Sequence, residues 1–385
     1  MIGQMPRTKP AWRRALYAAC FAAARCARVY SARRSLGLLL LAPFSSVLSS
    51  PAEIISTRRY VIDVLPSDQD LPQNTITGIT QTPDGYLWIT TLDGVARFDG
   101  VRFRMFRAAN TPALGSGRIR FLLVSRGGEL WLATQEGGVV QLREGHFVPV
   151  ALPDLASPRS AIVQVVRDDA NALWFSSEDG RVIRWSEGRY SVVSTNWQTA
   201  GQVGFQLRAD HRNRLWVVTT TGLYQLRGES LVPSLVGKPG QYLIHCPSRT
   251  GGWWLSSDGQ VRLWREGQWV GEAGRLDIAT EAFACALEDH SGGLWLGTTG
   301  QGLFRCETNR SPIHFTKADG LNSNLVRTLF EDTEGNLWVG TEDAGLNRVR
   351  LSLFTVFGLA QGLSSERVTT VSEDRAGRIW VGTDG

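Results

Sequence analysis

The sequence predicts an all-β fold: a seven-bladed β-propeller of four-stranded antiparallel blades, with the start of a second propeller behind it. The first observation is a tryptophan ladder whose gaps are 43, 43, 42, 38, 41, 43 and 42 residues, a period typical of a propeller blade. The second is a hydroxyl residue three positions after each of these eight tryptophans. The third is the absence of any sustained helical period, whereas short runs rich in Val, Phe, Trp and Thr indicate strands. The ladder consists of Trp88, Trp131, Trp174, Trp216, Trp254, Trp295, Trp338 and Trp380.

Each unit of the repeat reads as strand, turn, Leu-Trp strand, turn, strand, turn, strand. In the seventh unit the first run is Leu325–Phe330, the turn is Asp332–Gly335, and a later run is Leu346–Val349. Asp suits such a turn because its side chain bonds the following backbone, and Gly tolerates a positive φ. We expect the tryptophans to pack between neighbouring blades and the hydroxyls to bond backbone groups.

The place where the ring closes is predicted from a strand that precedes the first complete unit. Residues Tyr60–Leu65 stand at the position of a fourth strand. We expect this strand to complete the blade spanning Leu325–Val349, so that seven blades close near residue 350. The alternative is an eight-bladed ring, which would pair Tyr60–Leu65 with the strand at 379–383.

The predicted domain organisation follows from this closure and from charge. Residues 1–52 form a signal or leader segment, 53–350 the seven-bladed sensor propeller, and 351–385 an incomplete first blade of a second propeller. The leader holds eight basic residues and no acidic one, which leaves 33 of the 41 basic residues against all 36 acidic ones, a net charge of −3. The positive net charge of the whole chain therefore comes from the leader, and we expect no nucleic-acid partner.

The leader itself has the layout of a secretory signal. Basic residues precede the apolar stretch Leu36–Phe44, and small residues follow in Ser45–Ala52. This order is typical of export, and the apolar stretch is too short for an ordinary membrane-spanning helix. We therefore predict a periplasmic or extracytoplasmic protein.

Neither cysteines nor histidines form a recognisable chemical motif. Beyond the leader, Cys246, Cys285 and Cys306 are an odd set without close pairs, and we expect buried thiols rather than a disulfide framework. The five histidines form no metal-binding pair, so no metal, cofactor or catalytic residue is predicted. His245 and His290 fall at or near inner-strand positions and could approach the channel.

Three stretches around the ladder resemble the two-component regulator propeller repeat. They are Glu288–Thr298, Glu331–Thr341 and Glu373–Thr383, each of the form Glu-Asp-x-x-Gly-x-(Leu/Ile)-Trp-x-Gly-Thr. The junctions also resemble that family's Gly-Leu-x-x-Asn linker. They are Asp70–Asn74, where Asp replaces Gly, Gly320–Asn324, and Gly362–Glu366, where Glu replaces Asn.

The resemblance implies an extracytoplasmic ligand-sensing domain of a bacterial two-component-type receptor, not an enzyme in the residues present. Full-length members carry a membrane helix and a histidine kinase or diguanylate cyclase module. This chain carries neither output module, so the resemblance implies a fragment or a truncated reading frame. The membrane would be reached only through the missing C-terminal region, where the full-length receptor is anchored in the inner membrane, and that receptor is compatible with a homodimer.

A ligand site is predicted on the face that carries the blade junctions and the turns between second and third strands. Carboxylates and amides around one mouth suit a hydroxyl-rich small molecule or an oligosaccharide. The candidate ligand-binding residues are Asn74, Asp93, Arg118, Glu136, Asp179, Asp258, Asn324, Glu342 and Asp343.

Two other classes of function remain open at this stage. Propeller enzymes of the streptogramin-lyase type have similar repeats but need a catalytic His with metal-binding carboxylates, and sialidase-like enzymes need an arginine triad. Neither set can be assembled from this sequence. A protein-interaction scaffold is the third alternative, because a propeller fold does not fix function.

Overall fold

The computed structural model describes residues 60–65, 71–135, 138–151, 162–177, 181–193, 205–228, 230–238, 240–276, 282–308, 310–352, 357–359 and 362–384. All described residues lie in the compact unit Ala52–Gly385. The predicted leader, 1–52, and the first junction residue, Asp70, lie outside the described residues. No helix among the described residues has the length and apolar character needed to cross a membrane.

Seven four-stranded antiparallel sheets form the propeller, as predicted. Six of them are built from four strands that follow one another along the chain. Blade 1 contains β2 (Ile76–Gln81), β3 (Leu87–Thr91), β4 (Gly94–Phe98) and β5 (Phe103–Phe106). Blade 2 contains β6 (Ile119–Val124), β7 (Leu130–Thr134), β8 (Val139–Arg143) and β9 (His146–Val150). Blade 3 contains β10 (Ile162–Arg167), β11 (Leu173–Ser177), β12 (Val182–Ser186) and β13 (Arg189–Val193).

The remaining blades follow the same order until the last. Blade 4 contains β14 (Gln206–Ala209), β15 (Leu215–Thr219), β16 (Gly222–Arg227) and β17 (Ser230–Val236). Blade 5 contains β18 (Leu243–Pro247), β19 (Trp253–Ser257), β20 (Gln260–Arg265) and β21 (Gln268–Arg275). Blade 6 contains β22 (Phe283–Glu288), β23 (Leu294–Thr298), β24 (Leu303–Cys306) and β25 (Ile313–Phe315). Blade 7 contains β26 (Val326–Glu331), β27 (Leu337–Thr341), β28 (Leu346–Leu351) and β1 (Tyr60–Val64).

The ring closes in blade 7 by the predicted strand exchange. β1 pairs antiparallel with β28, with Ile62 opposite Val349. The Asp63 carboxylate reinforces this pairing, because it accepts hydrogen bonds from Arg348 at 2.9 Å and Arg350 at 2.8 Å. The eight-bladed alternative, which required Tyr60–Leu65 to pair with the strand at 379–383, is wrong.

The core consists of layers between adjacent blades, and each layer holds a ladder tryptophan. The second strand of a blade is buried on both faces; β3, β7, β11, β19, β23 and β27 are buried at all five positions. Trp338 of blade 7 packs against Ile89 and Phe98 of blade 1, which completes the circle of layers. The predicted role of the tryptophans in packing is confirmed.

Small residues two positions after the tryptophans follow from how closely the blades approach. At Gly340 in β27, an added Cβ would lie 2.6 Å from Cγ2 of Ile76 in blade 1. The hydroxyl one position later closes its own turn: Thr341 Oγ1 donates to the Gly345 carbonyl at 2.8 Å and accepts from Ala344 N–H. The same bond to a main-chain carbonyl is made in blades 1, 2, 3, 4 and 6, which confirms the expectation for six of the eight hydroxyls, whereas Ser257 and Thr383 bond side chains.

A further hairpin follows the ring. Its strands, β29 (Val368–Glu373) and β30 (Ile379–Thr383), form a two-stranded sheet with the register of a blade's first two strands. Trp380 is 58% exposed, whereas Trp338 is 2% exposed. The hairpin therefore has the local geometry of a blade without the packing of one; residues 353–356, 360, 361 and 385 of the predicted segment 351–385 lie outside the described residues.

Candidate functional site

The two ends of the ring differ in the loops that they carry. In blade 1, β3 ends at Thr91 and β4 begins at Gly94, while the link to blade 2 runs from Phe106 to Ile119. Because neighbouring strands are antiparallel, these two connections lie at the same end of the sheet. We call this end the junction face; the opposite end carries the Asp-x-x-Gly turns and is called the turn face.

Seven of the nine residues predicted to bind a ligand are described, and all seven lie in junction-face loops. Asn74, Arg118 and Asn324 precede first strands; Asp93, Asp258, Glu342 and Asp343 lie in turns between second and third strands. Glu136 and Asp179 lie outside the described residues.

Several of these side chains already have hydrogen-bond or ion-pair partners nearby. Asp93 lies 3.4 Å from Arg107, and Asn324 Oδ1 accepts from Lys317 N–H at 2.9 Å. Glu342 forms an ion pair with Arg327 beside a cavity of about 440 Å³ between blades 6 and 7. The other described members are not brought together with them at one point. The described candidates lie in the junction-face loops of blades 1, 2, 5 and 7.

The largest described cavity occupies the central channel and measures about 940 Å³. First strands from five blades line it, and it reaches the junction face beside Thr219 and Thr220 of blade 4. Its wall is mixed: Phe121, Phe283 and Ile244 contribute apolar surface, while Gln206 and Thr219 contribute polar surface. None of the nine predicted ligand-binding residues is among the described residues of this wall.

Arg208 is the permanently charged side chain among the described residues of the channel wall. Its Nε and Nη2 donate to Gln206 Oε1 at 3.2 and 2.7 Å, and its Nη1 donates to the main-chain carbonyl of His245. Burial lowers the pKa of this guanidinium from its ordinary value. No described Asp or Glu lines the cavity or forms an ion pair with Arg208.

His245 lies next to Arg208 on the following blade. It occupies a β-bulge, since Ile244 pairs with Leu255 and Cys246 with Trp254. Burial, and then the Arg208 charge, lower the pKa of His245 from 6.5 to about 3, so the imidazole is neutral at physiological pH. Its Nε2 is buried and has no hydrogen-bond partner among the described residues.

The channel does not display a nucleophilic thiol. Cys285 also lines the cavity, and burial raises the pKa of its thiol to about 12. A thiolate is the reactive form of cysteine. Cys246, Cys285 and Cys306 are all free, as expected. Among the described residues, no group of three or more His, Cys, Asp and Glu side chains is placed to hold a metal ion.

Arg208 was missed by sequence reasoning, although a signal for it exists. It pairs across the sheet with the ladder residue Trp216. The same position opposite the ladder tryptophan is uncharged in the other six blades: Thr80, Leu123, Val166, Cys246, Leu287 and Phe330. One charge at a position that is otherwise uncharged marks blade 4 as exceptional.

The turn face has a second polar cluster at a cavity of about 560 Å³. Glu331 accepts from the main-chain N–H of His290 at 2.9 Å and contacts its Nδ1, while Arg249 lies 3.7 Å away. The three residues come from blades 5, 6 and 7, and the Glu331 carboxylate is balanced by the Arg249 guanidinium. His290 thus lies at a channel mouth, as the sequence suggested, whereas His245 lies on the channel wall.

Comparison with solved structures shows that the same fold serves different functions. The extracellular domain assigned to a hybrid two component system of B. thetaiotaomicron is 19% identical with a TM-score of 0.62, covering 85% of this chain and 47% of that one. A second such domain from B. thetaiotaomicron is 16% identical with a TM-score of 0.61, covering 83% and 44%. This chain therefore spans about half the length of both. A catalytically inactive virginiamycin B lyase from Staphylococcus aureus, solved with quinupristin, is 14% identical with a TM-score of 0.61, covering 76% and 100%.

A family model supplies the sequence-level comparison. A search of curated proteins finds no match. The model described as two component regulator propeller matches residues 70–93, 320–343 and 362–385. Each matched segment runs from a junction through a ladder tryptophan. The resemblance predicted from the motifs is therefore confirmed for the stretches Glu331–Thr341 and Glu373–Thr383 and for the three junctions, which lie in segments similar to that repeat, whereas Glu288–Thr298 lies outside the matched residues.

Proposed function

We propose that this chain is the extracytoplasmic ligand-sensing propeller of a bacterial two-component-type signalling receptor and is not itself catalytic. The observation that carries the proposal is the combination of three family repeats with a closed ring whose channel cavity reaches the junction face. The fold-level similarity to extracellular domains of two-component systems supports the same function.

The proposed ligand is a small molecule or an oligosaccharide that enters from the junction face. A cavity of about 940 Å³ is large enough for such a ligand. Aromatic and aliphatic side chains would cover the faces of a sugar, and the polar groups around the mouth, such as Asp93 and Glu342, would hydrogen-bond its hydroxyls.

A thermal-shift screen of the full chain against neutral oligosaccharides tests this proposal. A ligand bound only by the folded state raises the melting temperature, and the stabilisation grows with the logarithm of its concentration once that concentration exceeds Kd. We expect Asp93→Asn to reduce the shift, while Asp169→Asn, at an exposed position on the turn face, leaves it unchanged. If no neutral sugar gives a shift, or if both variants reduce it equally, the junction face is not the sugar site.

Export is the second part of the proposal. It rests on the signal-like order of charge and apolar residues in 1–52. Fusion of this segment to alkaline phosphatase, which is active only outside the cytoplasm, should give active enzyme. Replacement of Leu38–Leu41 by four serines should abolish that activity. Equal activity of the two fusions would contradict export by this segment.

The enzymatic alternative is supported by the similarity to a virginiamycin B lyase over the whole of that chain. Incubation of the full chain with quinupristin, followed by chromatography, distinguishes the two functions. The sensor proposal expects quinupristin to be recovered unchanged, and turnover would replace that proposal by a lyase function.

A further inference from the structure

We propose that the channel cavity is a binding site for an anionic group, the carboxylate of a small ligand, held by Arg208 together with His245. The inference rests on the proposed function in that it names the class of ligand that such a sensor would take.

The first argument is charge. The described wall of the cavity contains one guanidinium and no carboxylate. A charge kept in a poorly solvated place is costly unless it has a counter-charge. A carboxylate entering from the junction face would supply that counter-charge, and partial exclusion of water from the cavity would strengthen the attraction.

The second argument is hydrogen bonding. A guanidinium has five N–H groups, and those of Arg208 are used in three bonds, two to Gln206 and one to the His245 carbonyl. Two N–H groups are left without an acceptor among the described residues. These bonds also fix the orientation of the guanidinium, so little side-chain entropy remains to be lost when a planar carboxylate binds.

The third argument is the buried imidazole. His245 is 5% exposed, belongs to the cavity wall, and has a buried Nε2 without a partner among the described residues. A buried polar atom without a hydrogen bond is unusual in a folded protein, and a bound ligand that supplies the missing hydrogen-bond partner would explain it. As the neutral imidazole it offers one N–H donor, which suits an oxyanion beside Arg208.

The fourth argument is the position of the arginine in the repeat. Blades 2 and 6 place Leu123 and Leu287 where blade 4 places Arg208. An apolar residue thus satisfies the fold at this position. A half-buried guanidinium without a counter-charge, retained in place of leucine, costs stability, and such costs are typical of functional sites.

The test separates a binding role from a structural one by comparing Arg208→Leu with Arg214→Leu. Arg214 lies in the same blade and is paired with Asp210 at 2.8 Å. The probes are acetate and D-glucuronate as carboxylates, D-glucose as the neutral counterpart of glucuronate, and inorganic phosphate as a different oxyanion, at constant ionic strength. Melting temperature and calorimetric Kd are measured for the full chain and both variants.

We expect at least one carboxylate to stabilise the unmodified chain more than glucose does. Arg208→Leu should fold with an equal or higher melting temperature and bind that carboxylate at least tenfold more weakly. Arg214→Leu should melt lower but keep its Kd. Absence of carboxylate binding, or an unchanged Kd in Arg208→Leu, overturns the inference. Equal binding of phosphate overturns the carboxylate assignment.

If Arg208→Leu fails to fold, Gln206→Leu provides the second measurement, since it frees the guanidinium without removing it. A Kd for carboxylate unchanged by Gln206→Leu would then overturn the inference. Binding of a neutral oligosaccharide without binding of any carboxylate would support the sensor function and overturn the anion site. Binding of a carboxylate without binding of any neutral sugar would support the anion site and exclude only the neutral sugar as the ligand.

Discussion

The Asp332 carboxylate accepts a hydrogen bond of 2.7 Å from the indole Nε1 of Trp338, six residues further along the chain. The same carboxylate accepts from the main-chain N–H of Glu334 and Asn336, so it holds the turn and the tryptophan together. The pair recurs with Asp168, Asp210, Asp289 and Asp374 and their tryptophans at 2.7, 3.1, 2.8 and 3.1 Å. The Asp of the turn motif therefore satisfies a buried donor in addition to shaping the turn.

Removal of this carboxylate should lower the free energy of unfolding strongly in a blade of the ring and only slightly in the hairpin outside it. Asp332→Ala leaves a buried indole N–H without an acceptor, which costs about 2–3 kcal/mol in the free energy of unfolding. Asp374→Ala removes the same local bonds from the exposed hairpin and should reduce the free energy of unfolding far less, because solvent replaces the lost acceptor. Urea denaturation measures both values. Equal losses would show that the bond acts only within the turn.

Blade 2 lacks the acceptor, and this defect can be repaired. Ser125 stands at the Asp position, and the buried Nε1 of Trp131 has no partner among the described residues. Glu129 contacts the Ser125 hydroxyl and would repel a new carboxylate, so the design is Ser125→Asp with Glu129→Asn, the pair found in blade 7. We expect a gain of about 1–2 kcal/mol in the free energy of unfolding.

Blade 5 provides the control for that repair. Ser248 also stands at the Asp position, but Trp254 donates instead to Glu288 of blade 6 at 2.6 Å. Ser248→Asp therefore adds no missing bond and should not stabilise the chain. A gain of similar size in both blades would mean that Asp stabilises the turn alone.

His245 should make the ring sensitive to mild acid. Its pKa is lowered to about 3 in the fold, against 6.5 for the ordinary group. Between these values the unfolded chain binds a proton that the folded chain does not, so stability is full above pH 6.5 and falls as the pH falls towards 3. The largest slope is about 1.4 kcal/mol per pH unit. His245→Phe should remove this part of the slope in pH-dependent denaturation, whereas His146→Gln, at an exposed position, should leave it; identical slopes in all three proteins would refute the assignment.

The strand that closes the ring should depend on Asp63 at low pH. Hydrogen bonds from Arg350 and then Arg348 lower the pKa of the Asp63 carboxyl below 3.8. Its contribution to stability is therefore present above pH 4 and is lost as the pH falls through the lowered pKa. Because the pairs are partly exposed, Asp63→Asn should cost about 1 kcal/mol at neutral pH. Asp343→Asn on the same blade should cost nothing measurable, and a salt-independent loss at Asp63 would contradict an electrostatic origin.

The sequence by itself determined the number of blades, the order of their strands and the place of closure. These follow from local properties: the spacing of Trp88 to Trp338, the turn residues before each tryptophan, and a strand at Tyr60–Leu65 that lacked a blade of its own. Each of these signals can be read within one repeat of about forty residues, although the closing strand then pairs with a strand at the far end of the ring.

Only the tertiary structure decided which side chains meet in the centre of the ring. Arg208 and His245 belong to different blades, and neither lies in a junction or a turn, which is where all nine predicted ligand-binding residues stand. Their proximity depends on the angle between blades 4 and 5 and on a bulge that adds one residue to β18. The partner that replaces the missing Asp of blade 5, Glu288, likewise comes from a neighbouring blade. Contacts of this kind arise from the radial packing of complete sheets, and the order of residues along a single repeat does not contain them.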